Sequence, residues 1–287
     1  MEKPYFRTWP FNFGAIENQN FERAKIIIVP LPCDLTASWS WKGGVREGPY
    51  AIIQASRQLD ELFYEGENPF PIFTFDEVEL SQVKEEAILG VEEIVKNILQ
   101  KNKFPLLLGG EHSISVGGVK AAKNKYSNLS VLQLDAHPDL LDNYAGTQYN
   151  HACTMRRIKD FKIPTVQVGI RSIDPETKNY LKKERIKNIF TAPEIPKKKI
   201  LNGLTKNVYL TIDLDVFDPS IMPSVSTPVP GGLGWYEVLD LIETLAKNKN
   251  IVGADIVELC PIPGLIAPNI LAAKLTYKII NHILSVY

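Results

Sequence analysis

A chain of 287 residues with 45% hydrophobic and 23% charged side chains has the apolar material for a large soluble core. Its formal net charge of -1 supplies no global field to draw it onto nucleic acid or an anionic membrane, and no uninterrupted apolar stretch approaches the ~20 residues of a membrane helix. The N-terminus, MEKPYFRTWPFNFG, has no apolar h-region and does not read as a signal peptide. Three scattered cysteines, Cys33, Cys153 and Cys260, form no C-x-x-C pair, which argues against a disulfide framework or thiolate zinc site and for a reducing cytoplasm.

In chain order, KIIIVPL (25–31) reads as a strand and GPYAIIQASRQLDELF (48–63) as a helix with Pro49 in its first turn. IFTFDEV (72–78) reads as a strand, 81–100 as an amphipathic helix, FPLLLGG (104–110) as a strand with a glycine turn, then a helix through Lys123. SVLQLD (130–135) and TVQVGI (165–170) read as strands, KNIF (187–190) as a weak one, and the lysine run 197–199 after Pro196 as a solvated loop. NVYLTIDLD (207–215) is a strand, GWYEVLDLIETLAK (234–247) a helix, IVGADIVEL (251–259) a strand, and a helix runs from Pro268. Alternating strands and helices, with strands apolar on both faces, predict one α/β domain over residues 1–287 built on a mainly parallel sheet. Eight strands also suit a closed barrel, and the pattern alone does not separate the two.

The polar groups fall at the carboxyl ends of those strands, where α/β sheets place ligands. His112 follows one strand in GGEHS; Asp135, His137 and Asp139 follow another in VLQLDAHPDLL; Asp213 and Asp215 end a third in TIDLDVFDP; Glu258 ends a fourth in GADIVELCP. In extended backbone the alternating Asp135, His137 and Asp139 would point one way. Three of the chain's four histidines, His112, His137 and His151, lie in this part of the sequence. Asp135, Asp139, Asp213 and Asp215 carry four negative charges, which two divalent cations balance; one cation leaves buried negative charge uncompensated. Carboxylates and imidazoles without thiolate suit Mn²⁺ or a related hard ion, and two such ions can activate a water. Cys153, close to His151, reads as a small buried thiol rather than a nucleophile.

Together, DLTASWSWKGGVREGPYAI (34–52), GGEHS, DAHPD, NHACTMRR (150–157), TIDLDVFDPSIMP, TPVPGGL (227–233) and DIVELCP (255–261) resemble the ureohydrolases: arginase, agmatinase and relatives. The resemblance implies a three-layer α/β/α open sheet of eight parallel strands, two manganese ions per chain and a homotrimer or homohexamer. It implies that His112, Asp135, Asp139 and Asp213 bind one ion, and Asp135, His137, Asp213 and Asp215 the other. His151 matches the proton-shuttling histidine and Glu258 the carboxylate that holds the substrate guanidinium. Hydroxide bridging the ions would attack the guanidinium carbon, with Asp139 steadying the tetrahedral intermediate. Asp218, before Pro219, reads as a turn former.

This chain departs from the family at three places: His151-Ala152 stands where the family often has His-Gly, Gly264 where many members carry Asp, and Leu141 where the arginine-specific branch has an Asn that helps hold the α-carboxylate. Leu141 and a mouth containing Asp142 favour agmatine, cleaved to putrescine and urea, over arginine, with Tyr144, Tyr149, Trp39 and Trp41 as candidate covers for its tail. The alternatives are N1-aminopropylagmatine, arginine and guanidinobutyrate as substrate, or a catalytically dead binding homologue. Intact ligand positions and His151 speak against the last.

Overall fold

The apolar runs become strands because they are short, rich in isoleucine, valine and leucine, and closed by glycine or polar residues. The computed structural model describes residues 10–36, 44–60, 71–76 and 78–285. It contains β1 (Ile26–Leu31), β2 (Ile72–Thr74), β3 (Phe104–Gly109), β4 (Leu129–Leu134), β5 (Thr165–Ile170), β6 (Ile189–Thr191), β7 (Asn207–Asp213) and β8 (Asn250–Val257). These form one sheet in the order β2-β1-β3-β8-β7-β4-β5-β6, with every pairing parallel. Among the described residues β2 and β6 each have a neighbour on one side only, so the sheet is open, as the resemblance implied, rather than a closed barrel.

Alternate residues of the central strands enter two separate cores. Ile26, Ile28, Leu106, Leu108, Leu132 and Leu134 pack with α1 (Gly48–Ser56), α7 (Trp235–Asn248) and α8 (Ala267–Leu284) on one face. Ile27, Val29, Leu107 and Val131 pack with α2 (Lys84–Gln100), α3 (Ser115–Lys125) and α4 (Thr154–Asp160) on the other. Each fully buried Ile or Leu contributes roughly 1.5–3 kcal/mol, so covering both faces is the main stabilising term. Among the described residues no helix is long and apolar enough to cross a membrane.

Several elements differ from the sequence reading. α1 stops at Ser56 rather than running on to 63, and residues 61–70 lie outside those described. α2 starts at Lys84 because the Ser81 hydroxyl accepts from the Val83 N–H at 3.1 Å, making a turn where a helix from 81 was expected. Three short helices were not anticipated: α4, α5 (Pro175–Lys183) and α6 (Lys197–Asn202). The lysine run 197–199 is thus helical, not loop. Buried Ile200 anchors it, and Lys197 pairs with Asp240 of α7.

Two features of the fold prepare a site. After β3 the chain leaves room for β8 and β7 and resumes at β4, so four strand ends face a switch point at the middle of the sheet. At the end of β3, a Cβ on Gly110 would sit 1.9 Å from the Cys33 carbonyl oxygen. Only glycine lets the loop carrying His112 lie this close to the loop after β1.

Candidate metal centre

β4 ends at Leu134, and the backbone turns at once. Asp135 Oδ1 accepts from the His137 N–H at 2.5 Å, and Asp139 adopts φ +50°. Asp135, His137 and Asp139 therefore converge through a turn, which corrects the expectation of strand alternation. Asp213 closes β7, and its Oδ1 accepts from the Asp215 N–H at 2.9 Å to start the short helical turn Leu214–Val216. Asp215 Oδ1 accepts from the Ala136 N–H at 2.8 Å, tying the two acidic turns together. Glu258, one residue beyond β8, has φ +67°. A left-handed conformation costs a non-glycine residue roughly 1–3 kcal/mol, and here two such residues, Asp139 and Glu258, border one site.

Two overlapping clusters result. His112, Asp135 and Asp213 present ligand atoms close enough to share an ion, as do Asp135, His137 and Asp215. His112 Nδ1 lies 3.1 Å from Asp135 Oδ2, 3.1 Å from Asp139 Oδ2 and 3.4 Å from Asp213 Oδ2, yet none is aligned as a hydrogen-bond partner. A buried nitrogen facing three carboxylates without a hydrogen bond is a coordination environment in want of a cation. His137 Nδ1 stands 2.8 Å from Asp215 Oδ2 and 3.7 Å from Asp135 Oδ1. The donor set, imidazole and carboxylate only, fits a pair of hard divalent ions.

The proton affinities have the same origin. Burial, then the charges of Asp215 and Asp139, push Asp135 well above the usual carboxylate range; burial, Asp215 and Asp135 do the same to Asp213. Burial opposes charge on His112, but the surrounding Asp135, Asp139 and Asp213 outweigh it and hold its pKa well above that of ordinary imidazole. Burial likewise opposes charge on His137, and Asp215 and Asp135 overcome it, raising the pKa to about 9. On Asp215, burial is outweighed by His137, and the carboxyl is held low. The cluster is short of positive charge, and protons and metal ions compete to supply it.

His112, His137, Asp139, His151, Asp213 and Glu258 share one cavity of about 220 Å³, with Leu141, Tyr144, Ser172, Asp174, Ser226 and Thr227 among its other walls. The Thr36 hydroxyl lies 3.1 Å from His151 Nδ1 and accepts from the His151 N–H at 3.1 Å, and Tyr144 meets the imidazole edge-on at 6.2 Å. Glu258 Oε1 accepts from the His112 N–H at 2.8 Å and Oε2 from the Ser226 hydroxyl at 2.7 Å. Each oxygen keeps further acceptor capacity.

Some expected neighbours are elsewhere. Asp142 is exposed and paired with Arg157, outside the cavity lining, and Tyr149 donates to Glu85 over a separate groove. Trp39 and Trp41 lie outside the described residues. Gly264 is not part of the cavity wall. Cys153 is fully buried and its thiol is pushed up to about 11, chiefly by burial, so it is no nucleophile. Asp218 accepts from the N–H groups of Ser220, Gly231 and Gly232 at 3.0, 2.8 and 3.0 Å, the turn-forming role read from its sequence.

A model of the arginase family matches residues 24–281. The chain belongs to the arginase family, the ureohydrolases. The N(1)-aminopropylagmatine ureohydrolase of Synechocystis sp. is 36% identical over 280 residues, covering 92% of this chain and 90% of that protein. The agmatinase of Pyrococcus horikoshii is 34% identical over 269 residues, covering 90% and 92%. The crystal structure of the agmatine ureohydrolase of Thermoplasma volcanium superposes with a TM-score of 0.85 at 30% identity, covering 99% of this chain and 97% of the other.

Three residues in or around this cavity do not stand out in the sequence. Asp174 follows β5 by the same strand-end logic, but its Asp-Pro pair also signals a helix cap, and it does cap α5 by accepting from the Thr177 N–H at 2.8 Å. Arg171 gathers the carbonyls of Asp215 and Val229, at 2.7 Å each, so it braces the turn that carries Asp215. Thr36 lies inside the DLTAS motif, where only its packing partners reveal its place beside His151.

The metal-loading pH dependence follows by linkage. Because the folded-state pKa of His137 is raised from 6.5 to about 9, its stabilising proton is fully present below about pH 6.5 and lost as pH rises through about 9. The raised Asp135 and Asp213 likewise make the metal-free fold less stable as pH rises above the ordinary carboxylate pKa. An ion binds only as those protons leave, so the rise in Tm on adding Mn²⁺ under anaerobic conditions should be markedly larger near about pH 8.5 than near about pH 6. Thermal denaturation with and without Mn²⁺ checks this; a metal-induced shift independent of pH contradicts it.

Proposed function

We propose that this ureohydrolase cleaves the guanidinium group of agmatine, releasing urea and putrescine. The observation that carries the reading is that His112, His137, Asp139, His151, Asp213 and Glu258 line one cavity. His112, Asp135, Asp139 and Asp213 would hold one Mn²⁺, and Asp135, His137, Asp213 and Asp215 a second. Bound there, the pair would supply Lewis acidity that brings the pKa of a water towards neutrality.

The chain's own groups do the rest. Glu258, buried and already anchored by the His112 N–H and Ser226, accepts hydrogen bonds from the guanidinium and fixes its plane. Asp139, held at φ +50° in the cavity wall, would steady the tetrahedral intermediate. As the C–N bond breaks, the leaving amine needs a proton, and His151, its ring held by Thr36, delivers it from solvent.

Selectivity comes from the far end of the substrate. Leu141 offers no hydrogen bond to an α-carboxylate, and leaving that group unpaired costs ~1–3 kcal/mol or more. Asp174 adds a carboxylate to the wall, the part that sequence reading had given to Asp142, and it repels an acid while accepting an ammonium. A second reading, N1-aminopropylagmatine, is favoured by that carboxylate and by the names of the relatives from Synechocystis and Thermus thermophilus. Its second ammonium suits Asp174 equally well.

Side-by-side kcat/KM values for agmatine, aminopropylagmatine, guanidinobutyrate and arginine decide between them. Either amine should exceed arginine by roughly ten- to a hundredfold; arginine on top refutes the reading of Leu141 and Asp174. For His151→Asn, we expect metal content and KM to hold while kcat falls by ~10²–10⁴-fold. Loss of metal in that variant would make His151 a ligand, and unchanged kcat would remove it from the chemistry.

A further inference from the structure

Behind the metal centre, strand register sets a second polar chain. Thr211 on β7 is the direct partner of Asp255 on β8, and Asp255 in turn pairs with Leu107 on β3, the strand that leads to His112. The Thr211 hydroxyl donates to Asp255 Oδ1 at 2.5 Å and lies 2.8 Å from His112 Nε2. Thr211 and Asp255 are fully buried. An acid at this depth is costly, and its neighbours along β8 are Ala254, Ile256 and Val257. Packing alone would place an apolar side chain there.

The hydrogen-bond directions decide the imidazole's tautomer. A hydroxyl has one proton, and Asp255 takes it. Thr211 Oγ1 can then only accept, so His112 Nε2 carries a hydrogen, and Nδ1 is left as the nitrogen that exchanges its proton for a metal ion. Nδ1 faces Asp135, Asp139 and Asp213, so positive charge must sit on or beside it, a proton in the metal-free protein or an ion once that proton leaves. Ser115 Oγ, 3.3 Å from Thr211 Oγ1, is placed to be a second donor to the same oxygen.

We infer that Thr211 and Asp255 form a buried relay that fixes His112 as an Nδ1 metal ligand and strengthens it as a donor. They are positioning residues: neither lines the cavity. The inference rests on the dinuclear reading proposed above, and it concerns only the ion held by His112. Thr211→Val removes the hydroxyl and keeps the shape, Thr211→Ser restores it, and Asp255→Asn keeps an acceptor while removing the charge.

The test is Mn²⁺ binding by equilibrium dialysis with metal analysis, alongside the Tm of each metal-free protein. Wild type should bind two ions; Thr211→Val should keep one at wild-type affinity and bind the other ~10–100-fold more weakly. Thr211→Ser should recover most of that loss, and Asp255→Asn should weaken the same ion by ~10-fold or more. If Thr211→Val does not fold, Asp255→Asn and Thr211→Ser carry the comparison. Unchanged affinities in Asp255→Asn, or equal weakening of both ions with a lowered metal-free Tm, overturn the relay and leave a packing role. A wild-type chain that takes up a single ion overturns the dinuclear reading instead. The relay is then judged by whether Asp255→Asn weakens that ion while Thr211→Ser does not.

Discussion

Mutual repulsion among buried carboxylates is the constraint around which this molecule is arranged. Asp135, Asp139, Asp213 and Asp215 are each at most 8% exposed, and they meet where two strand ends turn back on themselves. Such a cluster is tolerable only with positive charge inside it. The rest of the structure follows from holding that charge in place. The open parallel sheet aims its carboxyl ends at one switch point, Gly110 lets the His112 loop close over it, and Arg171 and Asp218 brace the loops behind. Left-handed backbone at Asp139 and Glu258 is the conformational cost of pointing both acids inward.

Much of this could be read from the sequence because strands announce themselves by short apolar runs and their ends by the first polar residues. Eight short apolar runs mark the eight strands, and His112, Asp135, His137, Asp139, Asp213, Asp215 and Glu258 stand at or just beyond strand ends. What failed was geometry beyond one residue. The alternation of Asp135, His137 and Asp139 suggested a strand, but Asp135 captures the His137 N–H and forces a turn, which is a local hydrogen-bond competition that periodicity does not register. Nearness in sequence points Asp142 towards the cavity, yet it pairs with Arg157 outside the lining, and Asp174 arrives from a different loop. The short helices α4, α5 and α6 span two turns or so, too few for an amphipathic period to show.

The polar residues inside strands are a signal in their own right. Thr211 and Asp255 interrupt buried β7 and β8, and Gln133 and Gln167 do the same in β4 and β5, where Gln133 donates to Asp135 Oδ2 at 2.6 Å and Gln167 to the Pro138 carbonyl at 2.7 Å. Each such residue leads back to the acidic cluster. A parallel sheet buried on both faces normally excludes these side chains, so their positions trace the second layer of the site more faithfully than the motifs alone do.

The central claim is that one pair of ions holds the cluster together, with Asp213 shared between them. Metal analysis of Mn²⁺-loaded Asp213→Asn tests it most directly, because the substitution removes a single charge and nothing else of comparable size. The account predicts about two ions per chain in the wild type and loss of most of both in the variant. An Asp213→Asn protein that retains the wild-type metal content would contradict it.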